Sequence, residues 1–207
     1  MRGKFIVIEG IEGSGKSTQA KKLAEALPNS ILTCEPSYGS VGMICRAVLL
    51  KQIDLNSVAF MLLFIADRID HLENIVVPAL EAGQNVVCDR YYLSNMAYQG
   101  RTEQCAPQPD TFSMLEIYEM NKRFQAITPD ITIFLSLDPV KSLERVSARS
   151  SERSIFDDLQ KLKRISGNFQ CAIELLTQHG EKIIEVSALP GEDEIAKEIL
   201  EVVLRQE

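Results

Sequence analysis

The amino-acid sequence predicts an α/β fold of three layers, a parallel β-sheet with helices on both faces. Three observations predict it. Short Val- and Ile-rich runs alternate with longer segments of helical period along the 207 residues. These runs are apolar almost throughout, as strands covered on both faces are, and do not alternate with polar residues. The first run passes directly into a glycine-rich turn and then into a helical segment.

Taken in order, the runs at 4–9, 30–35, 85–89, 130–137 and 182–186 read as buried strands. Between and after them, periodicity predicts helices over 16–27, 41–51, 57–82, 111–123, 140–148, 155–178 and 192–204. The longest, 57–82, has apolar residues at 58, 61, 62, 65, 69, 72 and 76, and Gly83 stands just past its end as a cap. Gln104-Cys-Ala-Pro-Gln-Pro109 reads as a loop. With no internal repeat or low-complexity linker, residues 1–207 read as one domain.

Composition narrows the function classes. Lys and Arg number 22 against 29 Asp and Glu, a net charge of −7, with 45% hydrophobic and 25% charged residues. That is an ordinary globular balance with no excess that argues for disorder. An acidic chain is a poor general nucleic-acid binder, although clustered arginines can still take an anion. The apolar run 59–66 stops at Asp67-Arg68, far short of a bilayer span, and the run 5–8 stops at Glu9, too short for a signal peptide. No membrane association is expected. The five cysteines (34, 45, 88, 105, 171) are odd in number and contain no CxxC pair, and His71 and His179 are far apart. Neither a disulfide framework nor a zinc pattern emerges. Cys34 and Cys88 lie in strand-like runs and read as reduced core residues, which points to the cytoplasm.

In a parallel sheet of this kind, ligands bind beyond the carboxyl ends of the strands. The unusual residues stand there. After the first run comes Gly10-Ile-Glu-Gly-Ser-Gly-Lys-Ser-Thr18, which fits GxxxxGK[ST]. Gly10, Gly13 and Gly15 allow backbone angles at which successive amides wrap a phosphate. The following helix adds its positive end. Lys16 is expected to reach the β- and γ-phosphates of ATP, and the Ser17 hydroxyl to ligate Mg²⁺. The cradle as a whole comprises Gly10, Ile11, Glu12, Gly13, Ser14, Gly15, Lys16, Ser17 and Thr18. A chance glycine-rich turn would not need to sit at a strand-to-helix junction. A GTPase reading is set aside, because the one Asn-Lys, Asn121-Lys122, is followed by Arg-Phe within a helical segment.

Asp89 ends the third strand and is expected beside Ser17, in the Mg²⁺ shell. A capping role in the next segment is the alternative. Arg90 is a donor fork suited to a second phosphate. Tyr91, Tyr92, Ser94, Tyr98 and Gln99 mix rings and an amide, which suits a base or sugar, or plain packing. Along the long helix, Phe60, Phe64, Arg68 and His71 form a row. Phe64 beside Arg68 offers a flat apolar surface next to a cation. Equally, Phe64 is core and Arg68 pairs with Asp67 or Asp70. Arg145, Arg149 and Arg153 recur at i, i+4 and i+8, and Ser150-Ser151 marks a break. The segment 145–157 reads either as a mobile arginine-bearing lid or as a solvated basic helix.

These residues resemble the thymidylate kinase family. The resemblance is carried by the phosphate loop through Gln19, Glu35-Pro36, Leu63-Phe-Ile-Ala-Asp-Arg68 with His71, and Asp89-Arg-Tyr-Tyr-Leu-Ser-Asn-Met-Ala-Tyr-Gln-Gly100. Order and spacing match to about residue 160. The resemblance implies a P-loop fold with a five-stranded parallel sheet, transfer of the γ-phosphate of ATP to dTMP giving dTDP, and Mg²⁺ as cofactor. It implies that Phe64 stacks on thymine, that Arg68 and Gln99 bond the base region, and that Arg90 binds the dTMP phosphate. It places Tyr98 under the sugar, Glu12 near the 3′-hydroxyl, and Glu35, Pro36 and Ser94 at the nucleotide. It also implies a homodimer packed through helices.

Two departures stand out. Many bacterial members carry Arg-Glu-Pro-Gly-Gly-Thr after the second strand, whereas this chain reads Cys34-Glu-Pro-Ser-Tyr-Gly-Ser40. Some members have an arginine in the phosphate loop, where this chain has Glu12-Gly13-Ser14. The transition-state cation is therefore expected from the lid, from Arg149 or Arg153. With Lys16 and Arg90 these form the expected catalytic set. Two other functions fit the phosphate loop: a kinase for another nucleoside monophosphate, and a non-catalytic ATP-binding regulator.

Overall fold

The computed structural model describes residues 2–102, 111–148 and 155–205. In chain order the elements are β1 (Phe5–Gly10), α1 (Lys16–Ala26), β2 (Ser30–Cys34), α2 (Ser40–Leu49), α3 (Ser57–His71) and, after a π-helical turn (Leu72–Val76), α4 (Val77–Glu81). Then come β3 (Asn85–Asp89), α5 (Tyr92–Gln99), β4 (Gly100–Arg101), β5 (Phe112–Ser113) and α6 (Met114–Arg123). The last are β6 (Ile131–Ser136), α7 (Pro139–Ser147), α8 (Ile155–Gln178), β7 (Ile183–Ser187) and α9 (Glu192–Leu204).

The five expected strands form one sheet in the order β2-β3-β1-β6-β7, and every pair in it is parallel. β1 is buried along its whole length, as its uninterrupted apolar sequence requires of a central strand. It pairs with β3 on one side and β6 on the other. The loops after β1 and β3 therefore leave adjacent strand ends, where a parallel sheet binds ligands. A short second ladder joins β4 to β5.

Four local features shape the site. The expected helix 57–82 is a continuous rod whose middle widens into the π-turn just before Pro78. A proline lacks an N–H and its ring crowds the carbonyl four residues back, so a wider turn ahead of it relieves the clash. Asn56 caps the rod, accepting from the Val58 amide at 2.8 Å. Gly42 lets α2 approach the turn after β2, for a Cβ there would lie 2.3 Å from the Ser37 carbonyl oxygen. Finally, residues 92–99 form helix α5, where the sequence reading had placed only a cluster of ligand-binding side chains.

Helix α6 starts at Met114, three residues later than expected. Ser113 and Glu116 form a capping box, with the Ser113 amide donating to Glu116 at 2.6 Å and the Glu116 amide to Ser113 Oγ at 3.1 Å. Buried polar residues concentrate at the carboxyl edge of the sheet and on the helices flanking it: Glu9, Lys16, Glu35, Asp67, Arg68, His71, Asn95 and Asn121. Buried polar groups need partners, and those partners define the site.

Candidate active site

The phosphate loop runs from β1 to α1. Gly13 and Gly15 have φ of 72° and 90°, left-handed values that a side chain disfavours. Lys16 folds back over the loop, donating to the Ile11 carbonyl at 2.7 Å and lying 3.4 Å from Ser14 Oγ. Burial, reinforced by the Arg90 charge, pushes its ammonium down from 10.5 to about 7, against the pull of Asp89, Glu9 and Glu12. Helix α7 braces the loop from outside. Ser142 Oγ donates to the Glu12 carbonyl at 2.7 Å, and Arg145 to the carbonyls of Gly13 at 3.3 Å and Ala188 at 2.8 Å. The Ile11 side chain is core, so only its backbone serves the loop.

Ser17 Oγ donates to Asp89 Oδ2 at 2.5 Å, and Asp89 Oδ1 is buried without a partner among the described residues. This pair fits a small hard cation. Among the described residues, no group of three or more His, Cys, Asp or Glu could hold a metal. A cation here would therefore draw its other ligands from substrate oxygens and water, as Mg²⁺ does. The alternative role for Asp89, capping the next segment, is taken by Glu9 from β1. Glu9 accepts from the amides of Tyr91 at 2.7 Å and Ser94 at 3.0 Å, and from Ser94 Oγ at 2.6 Å. Between them Arg90 adopts φ of 75°, a strained backbone for an arginine. Its guanidinium donates to Ser94 Oγ at 2.9 Å and lies 5.3 Å from the centre of the Tyr98 ring.

Beyond Arg90 opens a cavity of about 420 Å³. Every residue expected to bind the second substrate lines it: Glu12, Glu35, Pro36, Phe64, Arg68, Arg90, Ser94, Tyr98 and Gln99. Phe64 is half-buried and packs on Phe60 with ring centroids 4.8 Å apart. The Tyr98 hydroxyl is buried with no hydrogen-bond partner among the described residues. Arg68 pairs with neither Asp67 nor Asp70. Asp67 accepts from the Ser37 amide at 2.7 Å and Ser37 Oγ at 2.6 Å, and Asp70 accepts from Asn74 at 2.9 Å. Arg68 instead donates to Glu35 Oε2 from Nε at 2.9 Å and from Nη2 at 2.6 Å. His71 Nδ1 lies 3.3 Å from the other Glu35 oxygen, and His71 Nε2 lies 2.6 Å from Thr33 Oγ1.

Arg46 of α2 stands near the position of the absent arginine. Its Nε donates to the Ser37 carbonyl at 3.1 Å, its Nη2 donates to the Pro36 carbonyl, and it lies over the added Tyr38 at 4.1 Å. It braces the turn that carries Glu35. A second crevice of about 300 Å³ opens on the β7 side of the phosphate loop, lined by Gly13–Gly15, Thr18, Gln19, Arg145, Pro190, Glu192 and Ile195.

The chain matches the family model described as thymidylate kinase over residues 8–199. This chain belongs to the thymidylate kinase family. A thymidylate kinase from Leptospira borgpetersenii is 35% identical over 205 residues, covering 97% of this chain and 93% of the relative. A probable thymidylate kinase from Pyrococcus abyssi is also 35% identical, over 98% of this chain and 97% of the relative. The crystal structure of thymidylate kinase from Ehrlichia chaffeensis superposes with a TM-score of 0.73 at 25% identity, covering 98% of this chain and all of that one. Membership makes the chain a kinase, a phosphotransferase of the P-loop α/β class.

Several residues that line or hold the thymidylate kinase cavity were not singled out from sequence. Asn95, Leu49 and Lys161 line it, Glu9 holds the turn that carries Arg90, and Asn121 holds Arg68. Glu9 carried a signal, a carboxylate closing an apolar strand. Lys161 carried none, being an exposed lysine of a long helix. Arg149 and Arg153, the expected lid arginines, lie outside the described residues, as do Cys105 and the loop at 104–109. Of the arginine row only Arg145 is described, and it braces the phosphate loop.

Proposed function

We propose that this chain transfers the γ-phosphoryl group of ATP to dTMP, giving dTDP and ADP. One observation carries the acceptor site. A single cavity, opening beside the phosphate loop, is lined by a phosphate-reading arginine, a stacking ring and a base-edge arginine and amide: Arg90, Phe64, Arg68 and Gln99. No observation favours another monophosphate or a regulator without turnover.

In this reading Lys16 and the loop amides hold the β- and γ-phosphates of ATP, and the crevice beside Arg145 and Pro190 takes its base. Arg90 binds the dTMP phosphate, with Ser94 fixing the guanidinium. Phe64 stacks on thymine, Arg68 and Gln99 meet its polar edge, and Tyr98 fills the space below the sugar where a 2′-hydroxyl would go. Glu12 faces the 3′-hydroxyl. Ser17 and Asp89 would hold Mg²⁺, which when bound neutralises charge on the phosphate oxygens. No general base is required, because the attacking dTMP phosphate is largely ionised near neutral pH. The residues act by positioning two mutually repelling phosphates and by offsetting their charge. Arg149 and Arg153 are proposed to complete that charge stabilisation.

The wider setting is part of the proposal. Residues 1–207 act as one domain, supported by one hydrophobic core that spans the sheet and its flanking helices. A homodimer is supported by an exposed apolar stripe on α3, in which Leu62, Ala66 and Ile69 recur at i, i+4 and i+7. A cytoplasmic location is supported by free thiols at Cys34, Cys45, Cys88 and Cys171, and no helix of the described residues is long and apolar enough to cross a membrane.

The test is a coupled ADP-release assay with ATP·Mg²⁺ against dTMP, dUMP, UMP, CMP, AMP and GMP. Turnover with dTMP and little with the ribonucleotides is expected. Turnover with another monophosphate in preference would break the base-site assignment. ATP binding with no turnover would replace the kinase with a regulator.

A further inference from the structure

We propose that Asn121, on α6 and outside the substrate cavity, is a positioning residue for base recognition. It holds the guanidinium of Arg68, and through it the donor-only edge that Arg68 and Gln99 turn to the substrate base. The inference rests on the assignment of this cavity to dTMP.

The polarity of the wall follows from a chain of buried contacts. Asn121 is 1% exposed. Its Nδ2 donates to the Ile117 carbonyl at 2.7 Å, and only the NH₂ end of an amide can do so. Its Oδ1 is thereby turned to Arg68 and accepts from Nη1 at 2.6 Å. Glu35 takes Nε and Nη2 of the same guanidinium. Two opposed acceptors, one a carboxylate and one an amide, thus fix the plane of a side chain that carries no acceptor of its own.

The fixed guanidinium orders what lies next to it. Its Nη1 also donates to Asn95 Oδ1 at 3.5 Å. Asn95 must then present its NH₂ group elsewhere, and it donates to Gln99 Oε1 at 2.6 Å. Gln99 is left with its own NH₂ group for the cavity. Arg68 keeps one Nη2 hydrogen beyond its bond to Glu35. Both base-reading groups therefore offer donors and no acceptor. At C4 these donors match a carbonyl, whereas an amino group there meets donor against donor. Without Asn121 the Nη1 side of the guanidinium would keep only the long 3.5 Å contact to Asn95, so Asn121 is the close contact that holds that side in place.

The experiment compares wild-type, Asn121→Leu, Asn121→Ser and Asn121→Asp proteins, each checked for folding. It reads KM for dTMP, KM for ATP, and the ratio of kcat/KM for dTMP over dCMP. Leu removes the acceptor at similar volume. Ser is shorter, and carries the test if Leu does not fold. Asp keeps an oxygen on Arg68. Loss of a buried hydrogen bond to a charged group predicts that Leu or Ser raises KM for dTMP about tenfold and lowers the dTMP:dCMP ratio by about as much. KM for ATP stays within about twofold, and Asp, which keeps an oxygen for Arg68 but gives up the bond to the Ile117 carbonyl, shows a smaller loss than Leu or Ser. A folded Leu or Ser variant with wild-type KM and wild-type dTMP:dCMP ratio would overturn the proposal. So would an equal loss toward ATP and dTMP, which is what a purely structural role gives. Failure of the wild-type protein to turn over dTMP would instead overturn the functional reading.

Discussion

Removing the charge of Lys16 should make the nucleotide-free protein more stable while abolishing its activity. The ammonium is buried with only a carbonyl and a hydroxyl for partners, and its pKa falls from 10.5 to about 7. An unfolded chain keeps that proton to about pH 10.5. Between the two values the unfolded state therefore binds more protons, and stability climbs with pH. A shift of this size means a cost of about 4 kcal/mol at pH 7 that falls to about 2 kcal/mol at pH 9, a gain of about 2 kcal/mol. Lys16→Met removes the charge at similar length. Urea unfolding of both proteins at the two pH values, without nucleotide, makes the comparison. Wild-type should gain about 2 kcal/mol relative to the variant on going from pH 7 to pH 9, and the variant should be the more stable at pH 7. Buried Cys88 and Tyr91 also titrate abnormally, but they are common to both proteins and cancel. A phosphate beside Nζ returns the lysine toward its ordinary value, so ATP binding should take up about 0.9 proton at pH 8. Calorimetry in buffers of different ionisation enthalpy reads that number, and Lys16→Met should abolish it. Parallel pH–stability curves, with no proton uptake, would refute the claim that Lys16 waits uncompensated for an anion.

Asp89→Ala should raise the Mg²⁺ concentration for half-maximal rate about 10- to 100-fold, read from kcat against Mg²⁺ at saturating substrates. An unchanged Mg²⁺ profile would remove Asp89 from the cation's surroundings. Glu35→Gln leaves the buried Arg68 without its counter-charge and should cost about 3 kcal/mol, seen in calorimetry as a Tm lower by roughly 6–12 °C. Leu62→Glu with Ile69→Glu, on exposed positions of α3, should halve the mass measured by light scattering if the stripe is the dimer face. An unchanged mass would leave that stripe outside the interface.

The sheet was legible in the sequence because its signals are local. Strand 85–89 and helix 192–204 agree to the residue: Gly83 precedes the strand, Pro190-Gly191 precedes the helix, and burial makes the middle of β3 apolar, whereas the edge strands β2 and β7 are only partly buried. Helix α5 escaped because no cap of its own precedes it. Its amides are capped by Glu9, 82 residues before Tyr91. The partner of Arg68 escaped for the same reason, Glu35 being 33 positions away. Helical geometry did contain part of the answer. Asp67 and Asp70 stand one and two positions from Arg68 on one helix, and such neighbours do not face each other. The π-turn needed only Pro78 to be weighed against the carbonyl before it. Asn121 had no such local signal, for an asparagine in an amphipathic helix reads as surface until its partner on another helix is known.

The three carboxylates at the carboxyl edge of the sheet explain how a cavity built from distant segments holds a fixed length. Glu9 ends the apolar part of β1 and fixes the turn that carries Arg90. Asp89 ends β3 and takes Ser17. Glu35 follows β2 and takes Arg68. These strands are neighbours in the order β2-β3-β1, so Glu9 and Glu35, which tie down the segments carrying the arginines proposed to read phosphate and base, stand two strand spacings apart. That separation is about 10 Å, on the scale of a nucleoside monophosphate from base to phosphate. It is set by backbone hydrogen bonds of the sheet, which are among the stiffest features of the fold. The groups that face the cavity come largely from α3 and α5, and two of them, Arg68 and Ser94, bond a strand-end carboxylate directly. A substitution that loosens a loop should therefore weaken binding with little loss of selectivity for length. One that removes Glu9 or Glu35 should lose discrimination and affinity together, and comparing the KM for dTMP with the inhibition constant of thymidine against dTMP across these variants separates the two cases.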